Sequence, residues 1–219
     1  MSSPTLTDKV SKFIRHDILT GQLRPGQKLV VAELKEKYNV GASPIREALV
    51  QLSWSKYVTL EPQKGSWVAS VCQDELKDLF DSLRVVSSVL LQKAIQSGDE
   101  HWELDVLTSF HKFSRLSPPK TDSDWTEWEE RHMQFHKSLV EGANSKTMMA
   151  FFNDLINQIK RYRYFAITSH PENEELYNIE QHEKLMKAAL AKDAKAAAEV
   201  LETHLSNSMM AIEKSIVAA

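Results

Sequence analysis

Eight histidines are spread through this 219-residue chain, and four of them stand where imidazole chemistry is possible. His132 and His136 are four apart, which puts both rings on one face of a helix. His182 and His204 fall in later helical stretches. Neutral imidazole is the commonest protein ligand for borderline divalent ions. Two rings from one helix and one from each of two others can converge inside a bundle. The same spacing also arises where helical histidines face solvent or satisfy a carbonyl, so spacing alone leaves both readings open. A metal with an open position could activate water, as in a metal-dependent hydrolase or lyase. Against that chemistry, His132 and His136 do not form the His-Glu-x-x-His pattern, and no phosphate-binding glycine loop or nucleophile elbow occurs.

The second informative stretch is 29–68. Leu34 and Tyr38 share one face of a short predicted helix, and Asn39-Val40-Gly41 breaks it. Ser43-Pro44 opens a second helix with a hydroxyl to cap it and a proline at its first position. Ile45, Leu49 and Leu52 point inward, while Arg46, Glu47, Val50 and Gln51 lie elsewhere on its surface. Two β-prone runs follow, Val58–Glu61 and Ser66–Ser70, joined by Pro62-Gln63-Lys64-Gly65. Helix, turn, helix and a basic hairpin make a winged helix-turn-helix, whose second helix enters the major groove of DNA. A helix over Thr7–Thr20 should precede it, with Thr7 as a cap and Val10, Phe13, Ile14 and Ile18 as its buried stripe.

The expected architecture is mainly α. Residues 1–70 form the winged helix-turn-helix, and 74–216 form an antiparallel all-helical bundle. Six amphipathic segments carry the bundle, at about Asp74–Ser97, Glu100–Leu116, Asp124–Glu141, Ser145–Thr168, Glu172–Ala191 and Ala194–Ile216, with Asp74 and Asp193 as caps. Residues 1–70 carry a net +4 and 71–219 a net −7, which fits a phosphate-binding head on a body that DNA should not attract. No apolar run approaches the roughly 20 residues of a membrane span, and no secretory segment precedes the first helix. Cys72 is the single cysteine, so no internal disulfide forms; a cytoplasmic protein is expected.

Ile18 through Gly21, Pro25-Gly26, Leu29, Ser43 to Leu49, Leu52 and Lys64-Gly65 to Val68 resemble the GntR family of bacterial regulators. Leu79-Phe80-Asp81 with Arg84, Phe135-His136 to Leu139 with Asn144, His182, Ala189-Leu190 with Asp193, Ala197 and His204-Leu205 resemble the FCD effector domain of its FadR branch. Gly41 to Pro44, Gln63 to Gly65 and Arg131 to His136 look most like CsiR-type repressors. The resemblance implies a metabolite-responsive transcription regulator, a repressor rather than an enzyme, working as a homodimer on double-stranded operator DNA. A constitutive DNA-binding protein with structural histidines is the alternative.

FCD domains hold a divalent metal with one acid and three histidines, here His136, His182 and His204; His132 stands at the acidic position. Zinc is the default ion, with nickel, manganese or iron as alternatives. In the head, Ala42 replaces a DNA-reading arginine. The expected DNA-facing set is Ser43, Pro44, Arg46, Gln51, Lys64 and Gly65, with Arg46 as the base reader unless Glu47 or Glu33 holds it. A small carboxylate effector, with a five-carbon diacid leading, should meet Arg84 and, as a weaker choice, Arg163. The acid that often follows Arg84 by four positions is Ser88 here.

Overall fold

The computed structural model describes residues 5–170 and 173–217. Its head contains α1 (Leu6–Leu19), α2 (Val31–Tyr38), α3 (Ala42–Trp54), β1 (Val58–Glu61) and β2 (Gly65–Val68). The body contains α4 (Gln73–Ser97), α5 (Glu100–Ser114), α6 (Asp122–Glu141), α7 (Lys146–Ser169), a 3-10 turn (Glu174–Tyr177), α8 (Ile179–Leu190) and α9 (Ala194–Val217). The chain is mainly α, as expected, with a two-stranded antiparallel wing.

In the head, α1 is capped by Thr5 and not by Thr7. Thr5 has an acid three residues on, so its hydroxyl accepts from the Asp8 backbone while the Asp8 carboxylate accepts from the Thr5 N–H. Thr7 instead donates to Glu47 of α3 at 2.8 Å. Val10, Ile14 and Ile18 are buried, but Phe13 is 56% exposed and stacks on Tyr38. Asn39 takes the left-handed conformation that ends α2. The cap of α3 is Gly41, so Ser43 and Pro44 lie inside the first turn. Proline is tolerated there because first-turn N–H groups have no helical acceptor. Ser43 spends its hydroxyl on Glu47 at 3.2 Å. Val58 pairs with Val68 and Glu61 with Gly65, leaving a three-residue tip in which Gln63 has φ 63°.

The six bundle segments appear as α4 to α9. Asp74 does not cap α4, which starts one residue earlier; it sits in the first turn, where its charge complements the helix dipole. The expected fifth helix departs most. Its predicted start, Glu172, lies outside the described residues, and the chain then makes a 3-10 turn before α8 starts at Ile179. Asn178 imposes the break, because its side chain accepts from the Gln181 N–H at 3.2 Å and caps α8.

Two apolar cores result, one running from Val10 to Val68 and the other from Leu76 to Ile212. Polar bridges join them. The Tyr57 hydroxyl donates to the Asn157 carbonyl of α7 at 3.2 Å, and the Cys72 N–H donates to the Tyr162 hydroxyl at 3.3 Å. Arg161 pairs with Glu75 at 3.0 Å, and Glu75 also accepts from Tyr162. Within the body, Trp102 of α5 donates to the Ser138 carbonyl of α6 at 3.0 Å, and Ser109 meets Ser138 at 2.7 Å. These contacts fix α6, which carries two of the histidines. Among the described residues no helix is long and apolar enough to cross a membrane.

Candidate functional site

Three of the four histidines converge through one type of atom. His132 Nε2 lies 3.0 Å from His136 Nε2 and 3.1 Å from His182 Nε2. The i, i+4 spacing on α6 supplies the first pair, and the Asn178 cap supplies the third ring. The carbonyl of Asn178 accepts from His182 Nδ1 at 2.7 Å, which leaves the Nε2 lone pair turned toward the other two rings. His204 of α9 closes the group by ring packing, its centroid 4.5 Å from that of His182 and 5.1 Å from that of His136. The nitrogens that gather as possible ligands belong to His132, His136 and His182; His204 stands beside them.

Burial keeps these rings neutral. It pushes the His182 value down to about 4, with the nearby Arg163 charge acting in the same direction and the Asn178 hydrogen bond opposing. His132, His136 and His204 are held well below the usual imidazole range, again by burial first and then by neighbouring charge. Neutral imidazoles with lone pairs turned inward are in the ligand form. An Nε2 spacing of 3.0–3.1 Å suits two nitrogens of one divalent ion at about 2.0–2.1 Å each. The set therefore fits a metal. Among the described residues, the buried Nδ1 atoms of His132 and His204 make no hydrogen bond.

An acid absent from the expected set sits against these rings. Glu129, one turn before His132, is fully buried and accepts twice from Arg163 Nη1, at 2.8 and 3.0 Å. The oxygen that accepts at 3.0 Å, Oε2, is also 3.8 Å from His132 Nδ1. Residues 129, 132 and 136 follow the i, i+3, i+7 rule of one helix face, so the signal was present in the sequence. Arg163 lines two hollows that flank the histidines. One is largely apolar, with Phe80, Leu83, Leu139 and Phe152 among its walls; the other opens toward Asn178 and Gln181.

Arg84 behaves otherwise. Its guanidinium is taken by Asp81 and Glu202, with Ser206 accepting at 3.2 Å, and it lines neither hollow. The structure thus brings Arg163 to the histidines and leaves Arg84 on an i, i+3 ion pair at the edge of α4. Arg161, two residues before Arg163, turns instead to Glu75.

In the head, Arg46 is exposed on α3 and, among the described residues, pairs with neither Glu47 nor Glu33. Glu47 is occupied by Thr7 and Ser43. Gln51 is half-buried and lies near the Asp8 carboxylate of α1, so it is less open to DNA than expected. Pro44 is half-buried and Ser43 exposed in the first turn. Lys64 is exposed at the wing tip, with Glu61 3.1 Å away. Gly65 has φ +128°, a conformation in which any residue with a Cβ is strained.

Residues 6–68 match the family described as bacterial regulatory proteins, gntR family, and residues 78–207 match the FCD domain. The chain is 32% identical over 208 residues to the HTH-type transcriptional repressor GlaR of Escherichia coli (strain K12), covering 94% of each protein. It is 29% identical to an HTH-type transcriptional regulator, BphR, of Paraburkholderia xenovorans (strain LB400), covering 96% of this chain and 86% of that one. Among solved structures, E. coli McbR/YncC superposes with a TM-score of 0.77 at 18% identity over 99% of this chain and 100% of that one, which is a likeness of fold.

Proposed function

The chain belongs to the GntR family of bacterial transcription regulators and carries an FCD domain, and from that premise we propose a dimeric repressor that releases operator DNA when a small carboxylate binds beside a metal in the body. The observation that carries this reading is the trio of clustered Nε2 atoms on the buried His132 and His182 and the half-buried His136. A divalent ion there, zinc by default, would supply positive charge that four imidazoles cannot cancel, and so draw an anion. Asn178 fixes the His182 tautomer, and Arg163 offers a guanidinium toward the same anion. His204, packed against His136 and His182, would be the fourth ligand. Nickel, manganese and iron are the other ions this donor set accepts.

In the head, α3 enters the major groove with Arg46 as base reader, while Ser43, Lys64 and the Gly65 backbone hold phosphates. Pro44, in the first turn of α3, and Gln51, in its third, border the DNA-facing side of the helix. One small head makes few phosphate contacts, so two heads related by a two-fold axis and a pseudo-palindromic site follow. The protein works in the cytoplasm, beside its DNA. Affinity can change only by as much as the effector distinguishes the competent dimer from the incompetent one, typically about 5- to 150-fold.

The test measures affinity for an operator selected from a random duplex pool, with and without chelator and a carboxylate panel, using untagged protein. Carboxylate-dependent release that needs the metal is the expected result. His136→Ala and His182→Ala should each lower metal content and melting temperature, since an ion that binds only the folded state stabilises it. Full metal occupancy in the double variant would sink the site. DNA binding that no carboxylate alters would make the protein a constitutive binder.

A further inference from the structure

The apolar hollow next to the histidines says which kind of carboxylate the site takes, an inference that rests on the carboxylate-sensing reading above. Phe80, Leu83, Leu139, Phe152, Leu185 and Leu205 contribute to its wall, and all six are buried. Polar groups are confined to Arg163, His136, His204, Ser87 and Ser208. Arg163 is the one cation in that lining, and both of its contacts with Glu129 use Nη1. Among the described residues, Nε and Nη2 of Arg163 make no hydrogen bond to protein.

The ion among the histidines and Arg163 both stand at the histidine end of the hollow and meet one head group there, so a diacid needs a further cation or set of donors for its far end. Arg84, the sequence-based choice for that role, is occupied by Asp81 and Glu202 and stands outside the hollow. Two serine hydroxyls do not replace a guanidinium, and an unpaired carboxylate buried among leucines and phenylalanines is strongly disfavoured. We propose that the ligand is a monocarboxylate with an apolar body. Its head group meets Arg163 at the histidine end, and its aliphatic or aromatic body lies against Phe80, Leu83 and Phe152. Glu129 is the internal anion that shares Arg163 with the head group, so it sets how strongly the site holds an outside acid.

Isothermal titration of zinc-loaded wild-type protein with hexanoate, benzoate and glutarate tests the assignment. Hexanoate or benzoate should bind at least tenfold more tightly than glutarate. Glu129→Gln keeps the side chain's shape and removes its charge, so hexanoate should bind about fivefold more tightly or better, at unchanged zinc content. Tighter binding of glutarate than of either monoacid overturns the monocarboxylate assignment and leaves carboxylate sensing standing. Failure of all three acids to bind protein that still holds its operator overturns both. Unchanged or weaker hexanoate binding in Glu129→Gln overturns Arg163 as the head-group contact. The wild-type panel decides the ligand class even where that variant does not fold.

Discussion

Acid should unfold the metal-free protein through its histidine cluster, well before the carboxylates titrate. In the unfolded chain each imidazole has a pKa of about 6.5, and in the native body burial holds all four below it, His182 at about 4. Above about pH 6.5 both states are neutral and the stability is fully present. As the pH falls below that value the unfolded state binds protons that the native state refuses, so stability drops until the native values are reached. Between pH 7.5 and 5.5 each ring that stays neutral removes on the order of 1 kcal/mol, and the four together several kcal/mol. That is a large part of the roughly 5–15 kcal/mol that holds a typical domain together. Urea unfolding of chelator-treated protein, followed by tryptophan fluorescence at pH 7.5, 6.5 and 5.5, reads this directly. The slope should approach four protons per molecule, and His132→Gln should remove about one of them. A midpoint that stays flat from pH 7.5 to 5.5 would refute the assignment of these rings as neutral and buried.

Arg46→Ala should cost about 1–3 kcal/mol of operator affinity and relax preference at one base position per half-site; unchanged selectivity would mean that another residue reads the base. Lys64→Ala should weaken all DNA sequences alike and flatten the dependence of affinity on salt, which a salt titration checks. Gly98→Ala should lower stability by about 1–3 kcal/mol in a urea titration, because the new Cβ would stand 2.2 Å from the Trp102 ring and 2.6 Å from the Ala94 carbonyl.

The helices were legible because each buries a stripe that repeats every three to four residues, and a stripe survives an error of one residue at either end. Caps were less legible. Thr5 and Thr7 offer the same hydroxyl, and only the reciprocal bond from Asp8 decides between them. Gly41 and Ser43 pose the same problem at α3. Phe13 reads as core by spacing, yet its ring lies outside the packed face against Tyr38. The break at Asn178 was hidden because 173–190 contains no glycine or proline, and the side-chain cap that makes it is one hydrogen bond. At the site, the histidines were legible as a set, since two share a helix face and resemblance supplied the others. Resemblance places Arg84 ahead of Arg163, and nothing in the spacing of either residue tests that order. Their roles depend on which acids reach them across the bundle, Glu202 in one case and Glu129 in the other.

Helix α7 carries two arginines that face different tasks. Arg163 holds Glu129 beside the histidines, while Arg161, two residues earlier, holds Glu75 in the first turn of α4, just after the segment leaving the head. On an α-helix these positions are about 3 Å apart along the axis and about 200° apart around it. The two side chains therefore act like the ends of a short crossbar fixed to one shaft. A turn of the shaft moves the two ends in opposite directions. The Asn157 carbonyl, on the same shaft, accepts the Tyr57 hydroxyl of the head. A helix hydrogen-bonded along its length twists as one piece, so no part of this coupling needs a flexible linker. From Arg163 to the Asn157 carbonyl is about 9 Å, under two turns of the same helix, so the histidine site and the head contact share one short length of rod.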